Sequence, residues 1–237
     1  MKKTAIIQSN YIPWKGYFDI INKVDEFIIY DDVQYTRRDW RNRNVIKSVN
    51  GVQWLTIPVE VKGKYLQPIK DTLVSDENWN KKHWSTIIHN YKEAPFFKEY
   101  RSLFEEIYLN ISTKSLSEIN YKFIICICKI LDIETEINWS MDYQLDNIDS
   151  SERLISLCKQ SNANSYLSGP TAKNYIDEDL FKSSGVNIEW MDYKNYEEYS
   201  QLHPPFRHDV SIIDLIFNAG PNAKSYLHSN KLISQRL

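Results

Sequence analysis

The first thirty residues alternate between a strand pattern, a helix pattern and a second strand pattern, and this alternation constrains the fold most. Thr4–Gln8 is a short apolar run typical of a buried strand. Lys15–Val24 repeats apolar residues at the spacing of one helical face, and Glu26–Tyr30 is again apolar and β-branched. A strand, a helix and a strand in so short a stretch form a βαβ unit, which predicts a parallel sheet.

The next pattern is that of a hairpin. Asn44–Val49 and Val52–Val59 flank the pair Asn50-Gly51, which predicts two strands joined by a tight primed turn with two positive φ values. Pro68–Val74 is expected to add another strand.

Helical periodicity then dominates before strands and helices alternate again. Long helices are predicted at Glu77–Tyr91, Phe97–Asn110 and Leu116–Leu131. Later strands are predicted at Glu134–Trp139, Ser165–Leu167 and Val186–Met191, and helical segments at Ser151–Ser161, Thr171–Tyr175, Asp179–Ser183, Ser211–Asn218 and Pro221–Leu232. We therefore expect an α/β fold: a parallel Rossmann-like sheet with a hairpin and an inserted or appended helical subdomain. Residues 1–75 and 132–237 would form the core domain and 76–131 the helical subdomain, with a single domain over 1–237 as the alternative.

Charge and cysteine content exclude several classes of protein. The net charge is -2, which does not favour binding to nucleic acid or to a membrane surface. Cys126, Cys128 and Cys158 are odd in number and lack a CxxC spacing, so reduced thiols are expected rather than a disulfide or a metal site. No apolar run reaches the length of a signal sequence core or a membrane span, and a cytoplasmic location is expected.

The turn after the first strand is the first candidate site. In open parallel sheets, ligands bind at the carboxyl ends of strands near the switch in strand order. A helix start at this position would suit a phosphate. The candidate binding residues here are Gln8, Asn10, Tyr11, Trp14, Gly16 and Tyr17. The alternative is that the aromatic residues only cover the sheet edge.

Asp31 and Asp32 end the second strand and are candidate catalytic residues. Adjacent strand residues point to opposite faces, so only one can enter a ligand site. It would bind ribose hydroxyls, hold Mg²⁺ with a phosphate, or accept a proton from an amine. The alternative is capping of a loop. His83 is a further candidate base, with a structural histidine as the alternative.

A basic stretch follows, with four arginines within seven residues. Arginine binds phosphate bidentately, and an indole among the arginines could stack on a base or a sugar. The candidate binding residues here are Gln34, Arg38, Trp40, Arg41, Asn42 and Arg43, with Arg37 beside them. The alternative is a solvated hairpin edge protected by charge. Ser168, Gly169 and Lys173 follow a later strand and would suit an anion in the same way.

Taken together, these segments resemble the WbqC-like protein family. The resemblance lies in Gln8–Phe18, Tyr30–Tyr35, Arg38–Asn44, Trp54–Pro58, Lys82-His83, Tyr91, Ala94–Phe97, Tyr166–Pro170, Ser211–Leu215 and Phe217-Asn218. Ser9 departs from the proline expected after Gln8, which should loosen the turn. The opening strand, turn and helix are also similar to the nucleotidylyltransferase-like fold, although Trp14 and Tyr17 replace its two histidines.

The family resemblance implies a role in surface-polysaccharide biosynthesis, especially of O-antigen. It implies transfer of an aminoacyl group, such as glycyl, or of an acyl group to the amine of a nucleotide-linked amino sugar of the dTDP type. The alternatives are a non-catalytic nucleotide-sugar or glycan binding module and an ATP-dependent adenylating ligase. The sequence does not identify a cofactor with certainty. ATP with Mg²⁺ is the candidate cofactor, for an ATP-dependent reaction. A homodimer is left open.

Overall fold

The computed structural model describes residues 2–145 and 149–229 of the chain. Its strands are β1 (Lys3–Ile7), β2 (Glu26–Ile29), β3 (Arg43–Ser48), β4 (Gly51–Thr56), β5 (Glu136–Trp139), β6 (Ser165–Ser168) and β7 (Asn187–Trp190). Its α-helices are α1 (Lys15–Ile21), α2 (Trp79–Tyr91), α3 (Phe97–Leu109), α4 (Leu116–Ile130), α5 (Ser150–Gln160), α6 (Glu178–Ser184) and α7 (Ile212–Ala219).

The main sheet is parallel and has the strand order β5-β2-β1-β6-β7. Counted along the chain, its strands therefore lie in the order third, second, first, fourth, fifth, which is Rossmann-like. The chain leaves β1 toward β2 on one side and later returns to β6 on the other side. This reversal places a crevice at the carboxyl ends of β1 and β6. The predicted α/β fold with a parallel sheet and a separate hairpin is confirmed.

The two faces of the sheet are covered by different helices. One face packs Ala5, Phe27 and Ile29 against α1, α4 and the apolar core that also includes α2, α3 and α7. The other face packs Ile6 and Ile28 against α5 and α6. Both faces of β1 and β2 are buried, and successive side chains point to opposite faces, so neighbouring strand residues contact different helical layers.

The hairpin forms as predicted, but its turn differs. Ser48 pairs with Gly51, so the two connecting residues are Val49 and Asn50. Neither has a positive φ, and the positive value falls on Gly51 alone, at 110°. The primed turn predicted at Asn50-Gly51 is therefore wrong. Glycine tolerates this positive φ directly after the turn because it has no Cβ.

Two further segments differ from the prediction. Pro68–Val74 does not form a strand; it contains a 3₁₀ turn at Ile69–Asp71 and only isolated bridges to neighbouring segments. The helix predicted at Pro221–Leu232 is a 3₁₀ helix over Gly220–Tyr226, and its predicted end lies outside the described residues. Within the described ranges, no helix is both long and apolar enough to cross a bilayer.

Candidate functional site

The turn after β1 and the basic stretch before β3 lie against each other at the carboxyl end of the sheet. We call them the β1 turn (residues 8–14) and the arginine loop (residues 37–43). The Tyr11 amide donates to the Trp40 carbonyl at 3.0 Å. The Arg41 guanidinium donates to the side-chain oxygen of Asn10 and lies 3.4 Å from the carbonyl oxygens of Gln8 and Ser9. The two segments that the sequence singled out thus form one unit.

Ser9 fixes the β1 turn rather than loosening it. Its amide donates to Asp31 Oδ1 at 2.8 Å, and its hydroxyl accepts from Asn120 Nδ2 at 2.9 Å. Asn120, on α4, also donates to the Arg41 carbonyl at 2.9 Å. A proline at position 9 has no N–H and could not make the first of these bonds. The expected loosening is therefore wrong for this chain.

Asp31 and Asp32 have different partners on the two faces of the sheet. Asp31 is fully buried and accepts from the Ser9 amide and from the Ser117 hydroxyl on α4. Burial raises the pKa of the Asp31 carboxyl above its usual value. Asp32 accepts from Ser140 at 2.5 Å and pairs with Arg153 of α5 at 2.5 Å. Each carboxylate is held by neighbouring protein groups.

His83 lies in a buried chain of hydrogen bonds between α2, α3 and the β1 turn. Its Nε2 lies 3.1 Å from the Thr56 carbonyl, which can only accept, so Nε2 carries the proton. Its Nδ1, 2.9 Å away, then accepts from the Tyr11 hydroxyl, which in turn accepts from Tyr108 at 2.7 Å. Burial lowers the pKa of His83 to about 4. The imidazole is therefore neutral, and both ring nitrogens are occupied.

The four arginine side chains differ in how many contacts they make with other protein groups. Arg37 donates to the Val61 carbonyl at 3.0 Å, and Arg41 lies 3.6 Å from Asp39. Arg43 donates to the Arg38 carbonyl, and its guanidinium lies 4.3 Å from the centre of the Trp54 ring. The Arg38 side chain is exposed. Positive charge is therefore concentrated in the arginine loop, where Arg43 lies beside the exposed Trp54 ring and Arg37 lies 5.3 Å from the centre of the exposed Tyr65 ring.

Three more predicted binding residues have structural partners. Gln34 donates to the Tyr65 carbonyl at 2.8 Å, and buried Asn42 donates to the Ile57 carbonyl at 2.7 Å. Tyr17 is buried, and its hydroxyl donates to the Gln8 carbonyl at 3.1 Å. These contacts hold the arginine loop and the β1 turn in place.

The residues after β6 lie on the other side of the crevice. Ser168 is buried and donates to Tyr166 at 3.3 Å, and Gly169 precedes the 3₁₀ turn Pro170–Asn174. Lys173 lies 5.3 Å from the centre of the Trp190 ring. None of the residues predicted after β6 lines the cavity described next.

A cavity of about 270 Å³ opens where the β1 turn meets the arginine loop. It is lined by Asn10, Pro13, Trp14, Trp40, Asn44 and Asp209. Asn10, Trp14 and Trp40 were predicted as binding residues from the sequence. Aromatic faces together with a few polar groups are typical of a small-molecule site. This cavity is the candidate functional site.

The backbone beside the cavity is strained. Ile12 has a φ of 38°, which is unusual for a β-branched residue. Its carbonyl accepts from Asn44 Nδ2 at 3.0 Å and from the Ser211 hydroxyl at 2.7 Å. Two side chains from distant segments thus hold the turn in this conformation, and such strain is concentrated at functional sites.

The last wall of the cavity comes from a segment without helix or strand, residues 191–210, which we call the C-terminal strap. Buried Lys15, on α1, donates to the Glu197 carbonyl of the strap at 3.1 Å. The Lys15 ammonium lies 4.9 to 5.9 Å from the ring centres of Tyr196, Tyr199 and Phe206. Burial lowers the pKa of Lys15 to about 8. This contact attaches the strap to the start of α1 and brings its far end to the cavity.

Comparison with known proteins assigns the chain to a family. The model of the WbqC-like protein family matches residues 8–226. The chain belongs to this family. It is 48% identical over 227 residues to the uncharacterized protein Rv1507c of Mycobacterium tuberculosis (strain ATCC 25618 / H37Rv), covering 96% of this chain and 98% of that protein. No solved structure matches the chain. The family resemblance inferred from the sequence is confirmed.

In this WbqC-like protein, three cavity residues were missed as site residues. Pro13 and Asn44 lie inside stretches that carry the family resemblance, and this resemblance is the one sequence feature that could have marked them as site residues. Asp209 lies in the strap, where no periodicity or motif marks it. Among the described residues, no group of three or more His, Cys, Asp or Glu could hold a metal ion.

Gly16 gives this WbqC-like protein a testable packing constraint. Gly16 was predicted as a binding residue, but a Cβ built on it would lie 2.3 Å from Cζ2 of Trp14, so the indole of Trp14 fills the space beside it. We expect Gly16→Ala to displace the indole and lower the free energy of unfolding by about 2 kcal/mol. Urea unfolding would measure this.

Gly169→Ala is the matched control for the Gly16 experiment. The nearest atom to its added Cβ would be the Tyr193 hydroxyl oxygen at 3.8 Å, an ordinary contact distance, and Gly169 has a φ of -71°. We expect Gly169→Ala to leave stability nearly unchanged. Equal destabilisation by both substitutions would contradict the proposed packing of Trp14.

Proposed function

We propose that this protein transfers an aminoacyl or acyl group to the amine of a nucleotide-linked amino sugar, such as a dTDP-4-amino-6-deoxyhexose, during surface-polysaccharide biosynthesis. The observation that carries the proposal is the cavity between Trp14 and Trp40, which joins an exposed aromatic and basic surface. Membership of the WbqC-like family is the second support, because the family resemblance implies O-antigen biosynthesis.

The cavity suits the sugar. Its volume of about 270 Å³ is just below the range of about 300 to 1,000 Å³ typical of small-molecule sites, so it suits one ring rather than a whole nucleotide sugar. Trp14 and Trp40 offer apolar faces for the ring, and the amide of Asn10 offers a hydrogen-bonding group for its hydroxyls. A sugar ring needs both kinds of contact.

The surface beside the cavity suits the nucleotide. The rings of Trp40 and Trp54 are stacked with their centres 5.7 Å apart, and both are about half exposed. Such a platform can stack on a base. Arg43 lies beside Trp54, where its guanidinium could pair with phosphate oxygens, and the exposed Arg38 belongs to the same loop. Arg41 is less available to a ligand, because its guanidinium already donates to the side chain of Asn10 in the β1 turn.

One observation favours a second candidate, a non-catalytic module that binds a nucleotide sugar. Asp31, Asp32 and His83 were the predicted catalytic residues. All three are hydrogen-bonded to neighbouring protein groups, and none of them lines the cavity. A binding module needs no proton acceptor at the sugar amine, whereas a transferase would have to use a group other than these three, such as the Asp209 carboxylate in the cavity lining.

Mass spectrometry separates these candidates. The protein would be incubated with a dTDP-4-amino-6-deoxyhexose and either an activated glycyl or acyl donor, or glycine with ATP and Mg²⁺. A mass increase of one glycyl or acyl group on the nucleotide sugar is the result expected for the transferase. Binding by calorimetry without a mass increase for any donor would favour the binding module. The same nucleotide sugar with a hydroxyl in place of the amine is the control.

Trp40→Ala tests the platform. We expect this substitution to weaken binding of the nucleotide sugar by about tenfold, because it removes stacking worth about 1 to 2 kcal/mol. Isothermal calorimetry would measure the dissociation constant. Leu109→Ala is the control, since Leu109 lies on α3 with 43% exposure against 44% for Trp40. Equal affinity in the Trp40 variant and the wild type would show that the ligand binds elsewhere.

A further inference from the structure

The Asp209 carboxylate is the one charged group that lines the cavity within the described part of the chain. The arginines of the neighbouring loop lie outside the lining: Arg41 points to the β1 turn and Arg43 lies over Trp54. The cavity therefore has a negative charge on one wall and aromatic faces on others. Both features favour a cation, because the face of an indole also attracts positive charge.

Asp209 is held in position by contacts on both sides. Gln201 accepts from the Arg207 amide at 2.8 Å and donates to the Arg207 carbonyl at 2.8 Å. On the other side, the Ser211 amide donates to the Val45 carbonyl at 2.8 Å, and the Ser211 hydroxyl donates to Ile12. These four bonds fix the strap end without using the Asp209 side chain.

The side chain of Asp209 already has one partner and retains capacity for another. Arg207 donates to both of its oxygens, with Nε 2.8 Å from Oδ1. A carboxylate offers about four acceptor positions, so an ammonium group can bind without displacing Arg207. The Arg207 guanidinium also holds the pKa of Asp209 below its usual value, which keeps the carboxylate charged near neutral pH.

We propose that Asp209 binds the ammonium group of the amino sugar and so selects an amine over a hydroxyl at that sugar position. This inference rests on the proposed function. It assigns specificity to a strap residue and leaves phosphate binding to the arginine loop. Asn10 complements it: its oxygen accepts from Arg41, so its Nδ2 can donate to a sugar hydroxyl.

Calorimetry with two nucleotide sugars tests the inference. The probes are a dTDP-4-amino-6-deoxyhexose and its 4-hydroxy counterpart. Because Asp209 is exposed, we expect the wild type to bind the amine about fivefold more tightly, the effect of a solvent-exposed ion pair. Asp209→Asn should remove this preference while leaving the affinity for the 4-hydroxy sugar unchanged. Glu93→Gln removes an exposed carboxylate elsewhere and should retain the preference.

Arg207→Gln separates recognition from a purely structural role of the ion pair. It breaks the same pair but leaves the carboxylate in the cavity, so we expect it to retain or increase the preference for the amine. If Asp209→Asn and Arg207→Gln weaken both probes equally, Asp209 is only structural and the inference is wrong. Binding of both probes without preference by the wild type contradicts the inference alone. Binding of neither probe contradicts the proposed function as well.

Discussion

Asp31→Ala is expected to lower the free energy of unfolding by about 4 kcal/mol, because it leaves two buried donors without an acceptor. These donors are the Ser9 amide in the β1 turn and the Ser117 hydroxyl on α4. Loss of the contact would release the turn from the sheet edge at the point where the cavity begins. Urea unfolding followed by circular dichroism would measure the change.

Two milder variants make the Asp31 result interpretable. Asp31→Asn can still accept from Ser9 and can donate to Ser117, and Ser117→Ala removes only one bond, so each should cost about 1 kcal/mol. Asp31→Asn also cannot serve as a base. We expect it to retain transfer activity, which fits a structural carboxylate. Loss of activity in a folded Asp31→Asn protein would instead support the catalytic role predicted from the sequence.

Acid is expected to destabilise the protein through His83. Because the pKa of His83 is about 4 in the folded chain and 6.5 is its ordinary value, the unfolded chain takes up the proton first. The free energy of unfolding should therefore fall as the pH is lowered from about 6.5 to about 4, by about 3 kcal/mol in total. Urea unfolding at a series of pH values would measure this slope.

His83→Gln and His89→Gln separate this effect from general acid denaturation. The His83 variant should be less stable at pH 7, since the bonds to Tyr11 and Thr56 are disturbed, but should lack the His83 part of the slope. His89 is exposed on the same helix, so its replacement leaves the buried chain intact. An unchanged slope in His83→Gln would mean that folding does not lower the pKa of His83.

Much of the fold could be predicted from the sequence because its signals are local. The apolar runs of β1 and β2 and the helical spacing of α1 fall within thirty residues, and they sufficed to predict a parallel sheet. The hairpin followed from Asn50-Gly51, although its turn did not. The choice between a primed turn and a turn followed by a glycine depends on φ at Val49 and Asn50, which the residue types did not determine.

The candidate site could be predicted only where its residues lie in marked segments. Asn10, Trp14 and Trp40 lie in the β1 turn and the arginine loop, both distinctive in composition. The partners that orient this region come from far along the chain. Ser117 and Asn120 lie on a helix whose pattern indicates only burial, and Asp209 lies in a strap without periodicity. Contacts over such separations leave no pattern that a single sequence can reveal.

The attachment of the strap has a consequence for the order of folding. The hydrogen bond from Ser211 to Ile12 joins residues 199 positions apart. Forming such contacts requires closure of nearly the whole chain, so they are expected late in folding, whereas the β1–α1–β2 unit can form early. A nascent chain that ends before the strap would have a sheet and a β1 turn but only part of the cavity wall. The cavity wall that carries Asp209, and with it the proposed capacity to distinguish an amine, would thus be added only after the β1–α1–β2 unit has formed.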